Sequence, residues 1–383
     1  MTATAEVVTR TVDDPRALGV VDCDTHIGLP FDHPSEWVPS LMPHLSSYWK
    51  RRLDDGSITF VTGAWSHAWH FVQPGGGSQN RLNADVPGGE RLVLEPEFVL
   101  KDHIEPENIV ANMIITHGGP PYLVQTPDAC AALTSAWNDF HLERWFAFDP
   151  RFRLAASLPH RFPKLAVAEV ERVADLPGVA GVFLQPTAIP FGAPHYEPIL
   201  AAANDAEITI FTHPGSDHMY GDGQMAGGYA YSAFDRYVGW NGVGSAIVAN
   251  LIISGTFEKF PNLRFVFNEY GWAWLAPLMR RLDHIWNTSP EKIPAVRRRP
   301  TEYILDHVRV VSQPALETPR PKYEQIVLEE IHAERTMVFS SDYPHWDGDE
   351  TAQIFKGASP ELLRRIFYEN AVETIGPRLF ATA

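Results

Sequence analysis

"VVDCDTH", Val20 to His26, opens as a buried strand and then sets Asp22, Asp24 and His26 at every second position. In an extended strand, residues i, i+2 and i+4 share one face. The spacing therefore predicts three ionisable groups pointing the same way out of an apolar element, with Cys23 and Thr25 on the opposite face. A polar row at the end of an early strand predicts a site built onto the core.

The same construction recurs down the chain. With this first run, "NIVANMIITH", "FRLAASLPH", "VAGVFLQP", "ITIFTHP", "LRFVFNEYG", "VRVVSQP" and "TMVFSSDYPH" make eight short apolar runs, most closing on a polar cluster. Between them, "TPDACAALTSAWNDFHLERWFAF", "PKLAVAEVERVA" and "EPILAAANDA" carry apolar residues at helical spacing. Ser359, Pro360 and Gly376 read as the cap, first turn and stop of a closing helix. Strands alternating with helices imply a parallel sheet, and eight such units imply a (β/α)8 TIM barrel. Residues 1–15 read as a flexible N-terminal segment and 16–383 as a single barrel domain. Two stretches, about 31–105 and about 214–240, are too long for simple connections and read as insertions over the C-terminal mouth.

Composition narrows the partners. Of 383 residues, 45% are hydrophobic and 20% charged, as in an ordinary globular protein, and the net charge is −16. That acidity repels phosphate backbones and argues against nucleic acid. The two cysteines, Cys23 and Cys130, form no ligand or disulfide pattern, and Cys23 reads as a packed thiol. The N-terminal residues lack the signal-peptide pattern, and no apolar run reaches the length of a membrane span. The expectation is a cytoplasmic protein acting on a small molecule.

Active sites of such barrels lie at the C-terminal strand ends. Those ends carry Asp24 and His26, then His213, Glu269, and Asp342 with His345. Two imidazoles and two carboxylates, Asp24, His26, His213 and Asp342, suit one divalent metal ion, zinc first and manganese as the alternative. The competing reading is a set of barrel-interior polar residues that satisfy one another. Aromatic residues near the mouth, Trp240 and Trp272 among them, suggest a small, flat, partly apolar substrate.

Four motifs in order, "DCDTH", "FTHPG", "GTFEKFPNLRFVFNEYGWAWLAPLMRRLD" and "FSSDYPHWDGDE", resemble the amidohydrolase superfamily, in the branch related to aminocarboxymuconate semialdehyde decarboxylase. The resemblance runs from about Val20 to Phe380. It implies metal binding by Asp24 (where the family usually has histidine), His26, His213 and Asp342. It also implies a proton-accepting role for Asp342 and a homodimer or larger assembly. After the sixth strand the branch's decarboxylases often carry a histidine, and this chain has Glu269 in "NEYGW".

That departure favours metal-assisted hydrolysis of a small aromatic or cyclic carbonyl or carboxylate compound. Asp342 would take the proton of an activated water, and Glu269 or His345 would donate to the leaving group. Glu269 reads equally well as a carboxylate that orients His26 or His213, His345 as a hydrogen-bonding residue, and Asp22 as a buried partner. The alternative chemistry is non-oxidative decarboxylation of a small aromatic or unsaturated acid, with Arg81 as the candidate grip on the carboxylate. A barrel retained only for binding is the third reading.

Overall fold

The computed structural model describes the chain except for residues 1–13, 28–33, 59, 61–94, 117–118, 215–223, 226–227, 230–232, 319, 346 and 382–383. Eight parallel strands follow one another in chain order around a TIM barrel: β1 Val20–Thr25, β2 Ile109–Ile115, β3 Phe152–Ser157, β4 Val179–Phe183, β5 Thr209–Thr212, β6 Phe265–Phe267, β7 Val308–Val311 and β8 Met337–Val338. The ring closes just past the end of β8. There Cys23 donates its N–H to Phe339, Asp342 to Asp24 and His26 to Tyr343. All eight expected strands are present.

The two faces of the strands are filled differently. Val21, Cys23, Met113, Phe211, Val266 and Val338 touch one another although they come from strands around the ring, so they fill its interior. Val20, Ile114, Leu154 and Phe265 belong instead to the larger core beneath the helices, with Val170, Leu251 and Leu282. Proline at the start of Pro127–His141, Pro163–Val173, Pro300–His307, Pro321–Glu330 and Pro360–Arg364 helps begin those helices. Its fixed φ suits the first turn, where an N–H has no intrahelical partner. Ser359 caps the last of these by accepting from Leu362 N–H.

Several expectations change. Cys23 faces the barrel interior as Val21 does, and Asp22 the helical layer as Val20 does, the opposite of the expected facing. Asp22 and Asp24 part company at a bulge: between Asp22 and Thr25 the register of β1 shifts against β2. An extra residue there lets Cys23 and the Asp24 carboxylate both serve the inner side. Cys23 is still a buried thiol. The 31–105 stretch contains helices Pro34–Leu41, Ser47–Asp54 and Pro96–Val99, with Trp37 and Leu41 packed on Tyr122 and Trp137 in a separate small core. The loop read as 214–240 gives way at Ala233 to the helix Ala233–Ile253. Residues 1–13 of the expected flexible segment lie outside the described residues.

Phe211 is fully buried in the barrel interior. Phe211→Ala should cost about 3–5 kcal/mol in denaturant unfolding. Val238→Ala, at a side chain 74% exposed, should leave the midpoint unchanged; equal effects would contradict this packing.

Candidate functional site

Backbone geometry delivers the polar residues to the mouth. Asp24 sits in the β1 bulge and His26 just beyond it; His213 follows β5 directly. Glu269 and Asp342 follow β6 and β8 with φ of +55° and +57°. That left-handed conformation is uncommon without glycine and concentrates at functional sites.

Among the described residues, one ligand-type atom from each of Asp24, His26, His213 and Asp342 lies within 4.8 Å of the others, and Glu269, Asp342 and His345 form a second such group. His26 Nε2 is 3.0 Å from Asp342 Oδ1 and 3.4 Å from Asp24 Oδ1. His213 Nε2 is 3.8 Å from Asp24 Oδ2 and 3.0 Å from Glu269 Oε2. His345 Nδ1 is 2.9 Å from Asp342 Oδ1, and its ring stacks on His26 at 4.4 Å.

These groups fit a divalent cation. Nδ1 of His26 meets the Ile115 carbonyl at 3.2 Å, and Nδ1 of His213 meets that of Pro214. With Nδ1–H donating in each, Nε2 is turned to the cluster as a neutral ligand. Both Asp24 oxygens and Asp342 Oδ1 are buried without a well-formed hydrogen bond among the described residues, although Asn268 is near enough to favour the charged form of Asp24. Uncompensated buried carboxylate oxygens are costly, and a cation relieves that cost.

The electrostatics agree. Burial pushes Asp24 well above the usual carboxylate range; His213 pulls it back, while Asp342 and Glu269 push it further. Burial, then Glu269, raises Asp342 in the same way. Burial lowers the His213 pKa, but Asp24 and Glu269 outweigh it and leave the pKa raised.

Asp22 works from behind. Its Oδ1 accepts the N–H groups of Asp24 and Ser341 at 3.2 and 2.9 Å, and its Oδ2 accepts the Ser341 hydroxyl and meets His103 Nε2 at 2.8 Å. His103 stacks on Tyr343, whose hydroxyl donates to Asp102. The network grips the backbone beside both aspartates. The spacing of "DCD" identified Asp22 as a buried partner, whereas His103 and Ser341, distant in sequence, gave no signal.

Glu317 was missed for the same reason. It accepts from the N–H groups of Trp272 and Ala273, fixing the turn after Glu269. Tyr237 and Gln313 donate to Asp347 beside the cluster. Trp272 is fully buried, donates to the Pro314 carbonyl and abuts Phe355. Trp240 is almost buried against Tyr237. Arg81 lies outside the described residues.

Among the described residues no helix is long and apolar enough to cross a membrane. A family model described as "Amidohydrolase" matches residues 124–376. Over 233 residues the chain is 27% identical to a gamma-resorcylate decarboxylase of Polaromonas sp. (strain JS666 / ATCC BAA-500), covering 58% of this chain and 69% of that protein. An amidohydrolase from Mycobacterium avium subsp. paratuberculosis K-10 superposes with a TM-score of 0.66 at 22% identity, over 94% of this chain and 98% of its own. A dihydroxybenzoic acid decarboxylase from Polaromonas sp. JS666, with bound manganese and the inhibitor 2-nitroresorcinol, gives 0.57 at 21% identity over 72% and 84%. At these identities the two structures speak for the fold alone.

With raised pKa values, folded Asp24 and Asp342 retain protons that unfolded aspartates release above about pH 4. Their contribution to the stability of metal-stripped protein is therefore lost as pH rises, and raised His213 acts in the same direction. Calorimetry upward from about pH 5 should show Tm falling without metal and metal affinity rising, since binding needs the deprotonated ligands; a rising Tm would contradict it. Asp22→Asn should weaken metal affinity about 10- to 100-fold without removing a ligand, and unchanged affinity by competition with a chelator would refute its positioning role.

Proposed function

The chain belongs to the amidohydrolase family, and from that premise we propose that this enzyme is a divalent-metal-dependent, non-oxidative decarboxylase of a small hydroxylated aromatic acid. The order of the two reactions weighed from sequence is thereby reversed. The named gamma-resorcylate and dihydroxybenzoic acid decarboxylases favour loss of carbon dioxide over hydrolysis. The observation that carries the reading is the position of Asp342 in both ligand-type groups, beside Asp24, His26 and His213 and also beside Glu269 and His345. One carboxylate thus adjoins both the metal-binding cluster and a second acid.

The proposed ligands are Asp24, His26, His213 and Asp342. Manganese is favoured by the manganese-bound relative and zinc remains compatible with the two imidazoles. When bound, the cation would supply positive charge that anchors the acid's oxygen atoms and offsets the carboxylates around them. Without it, Asp24 and Asp342 would repel an anionic substrate whenever they gave up their protons.

The reaction replaces a ring carboxylate by hydrogen. A proton is added to the ring carbon, the carbon–carbon bond breaks, and its electron pair restores the aromatic ring as carbon dioxide leaves. Glu269, held at the cluster by the Glu317-pinned turn, is the proposed donor, with Asp342 and His345 relaying its replacement. Burial of this group excludes bulk water, which strengthens each electrostatic contact.

Metal-loaded protein should be assayed against a panel of hydroxybenzoates, gamma-resorcylate included, in deuterium oxide. The expected products are carbon dioxide and an arene carrying one deuterium at the vacated carbon. Incorporation of solvent oxygen without carbon dioxide would restore hydrolysis. Glu269→Gln should lower turnover by about 100-fold or more while metal content is retained; near-normal turnover would remove Glu269 from the proton path.

A further inference from the structure

A cavity of about 650 Å³ opens at the end of the barrel opposite the ligand cluster, lined by residues that precede or begin β6, β7 and β8 and by Glu373 of the C-terminal helix Asn370–Ile375. Five arginines and three carboxylates line it, in a chain whose net charge is −16. The carboxylates are already engaged. Asp306 takes Arg298 at 2.9 Å and Arg335 at 3.2 Å. Glu258 accepts the Tyr303 hydroxyl and lies 3.9 Å from Arg297. Glu373 is held by Arg365, from outside the lining, at 2.6 and 2.8 Å.

Arg264 and Arg309 are left with no carboxylate within ion-pair distance among the described residues. Arg309, only 8% exposed, donates Nε to Thr374 and Nη1 to the Leu305 and Val308 carbonyls. Arg264 donates Nη1 to the Pro261 and Leu263 carbonyls. Arg309 Nη2, and Arg264 Nε and Nη2, have no acceptor among the described residues. Burial, then the charges of Arg264 and Arg335, outweigh Glu373 and Asp306 and pull the Arg309 pKa down to about 10, so the guanidinium stays charged at neutral pH in a place that penalises it. A buried charge with no carboxylate in contact is costly, and guanidinium forks match multivalent oxyanions.

We propose that this cavity binds the phosphate group of a small phosphomonoester, gripped by Arg264 and Arg309. A tetrahedral dianion offers acceptors on several sides to guanidiniums reaching in from neighbouring strands, where a monocarboxylate would satisfy one fork. The volume also exceeds what phosphate alone fills and leaves room for an organic remainder.

Calorimetric titration of the metal-loaded protein with inorganic phosphate and with glycerol phosphate, at constant ionic strength and with acetate as control, tests this. Saturable binding is expected, tighter for glycerol phosphate, and weakened about tenfold or more by Arg264→Gln. Among the described residues Arg264 hydrogen-bonds only to backbone carbonyls and His307, so the variant should unfold like the parent without ligand. Should it not, Arg309→Lys keeps the charge, removes the fork and should weaken binding in the same sense. Equal response to acetate, or phosphate binding that survives both substitutions and vanishes when the metal is stripped, would overturn the proposal.

Discussion

Closure of the ring between β1 and β8 is the constraint on which the site depends. Asp22 accepts hydrogen bonds from both sides of that junction, from Asp24 on one chain segment and Ser341 on the other. Two residues further on, Asp342 N–H reaches the Asp24 carbonyl and His26 N–H that of Tyr343. Three of the four candidate ligands, Asp24, His26 and Asp342, are therefore located by the same bonds that close the barrel. His213 alone comes from the far side, and it is oriented through its own neighbour, Pro214. Small changes at the junction would shift the ligands together, because the packed strands cannot deform one at a time.

Such a group of carboxylates is unfavourable on its own. Asp24 and Asp342 are fully buried, and Glu269 nearly so. Their left-handed or bulged backbone adds local strain. The fold carries these costs in a mouth built on two large apolar cores. A divalent cation at this place would offset that repulsion. Where the resemblance leads one to expect a histidine after β6, this chain carries the Glu269 carboxyl group. An acid that is neutral when protonated imposes different demands on an anionic substrate from an imidazole that is cationic when protonated.

The sequence made much of this legible and hid the rest for identifiable reasons. Apolar runs covered on both faces identified the strands, and polar residues at their ends identified the candidate ligands. Alternation failed at one position: the register shift in β1 cannot be read from "VVDCDTH", because it depends on pairing with Asn112 and Ile114 of β2. The same seven residues consequently hold an outward Asp22 and an inward Asp24. The place of Trp272 is fixed by contacts with Pro314 and Phe355, which composition does not show. His103, Ser341 and Glu317 became visible only once distant segments met. The arginine cavity is likewise assembled from segments before three different strands, none of which carries a motif.

The hydrogen bond from Ser341 to Asp22 spans 319 positions of sequence. Contacts that distant form late, since the entropy of closing so long a loop is recovered only when the intervening units are in place. A growing or partly unfolded chain can therefore have most of its βα units built and still have no site for a metal ion. Cation capture would then report completion of the whole barrel. Scavenging of metal by incomplete chains would be limited by the same geometry, which separates the acquisition of chemistry from the acquisition of most of the fold.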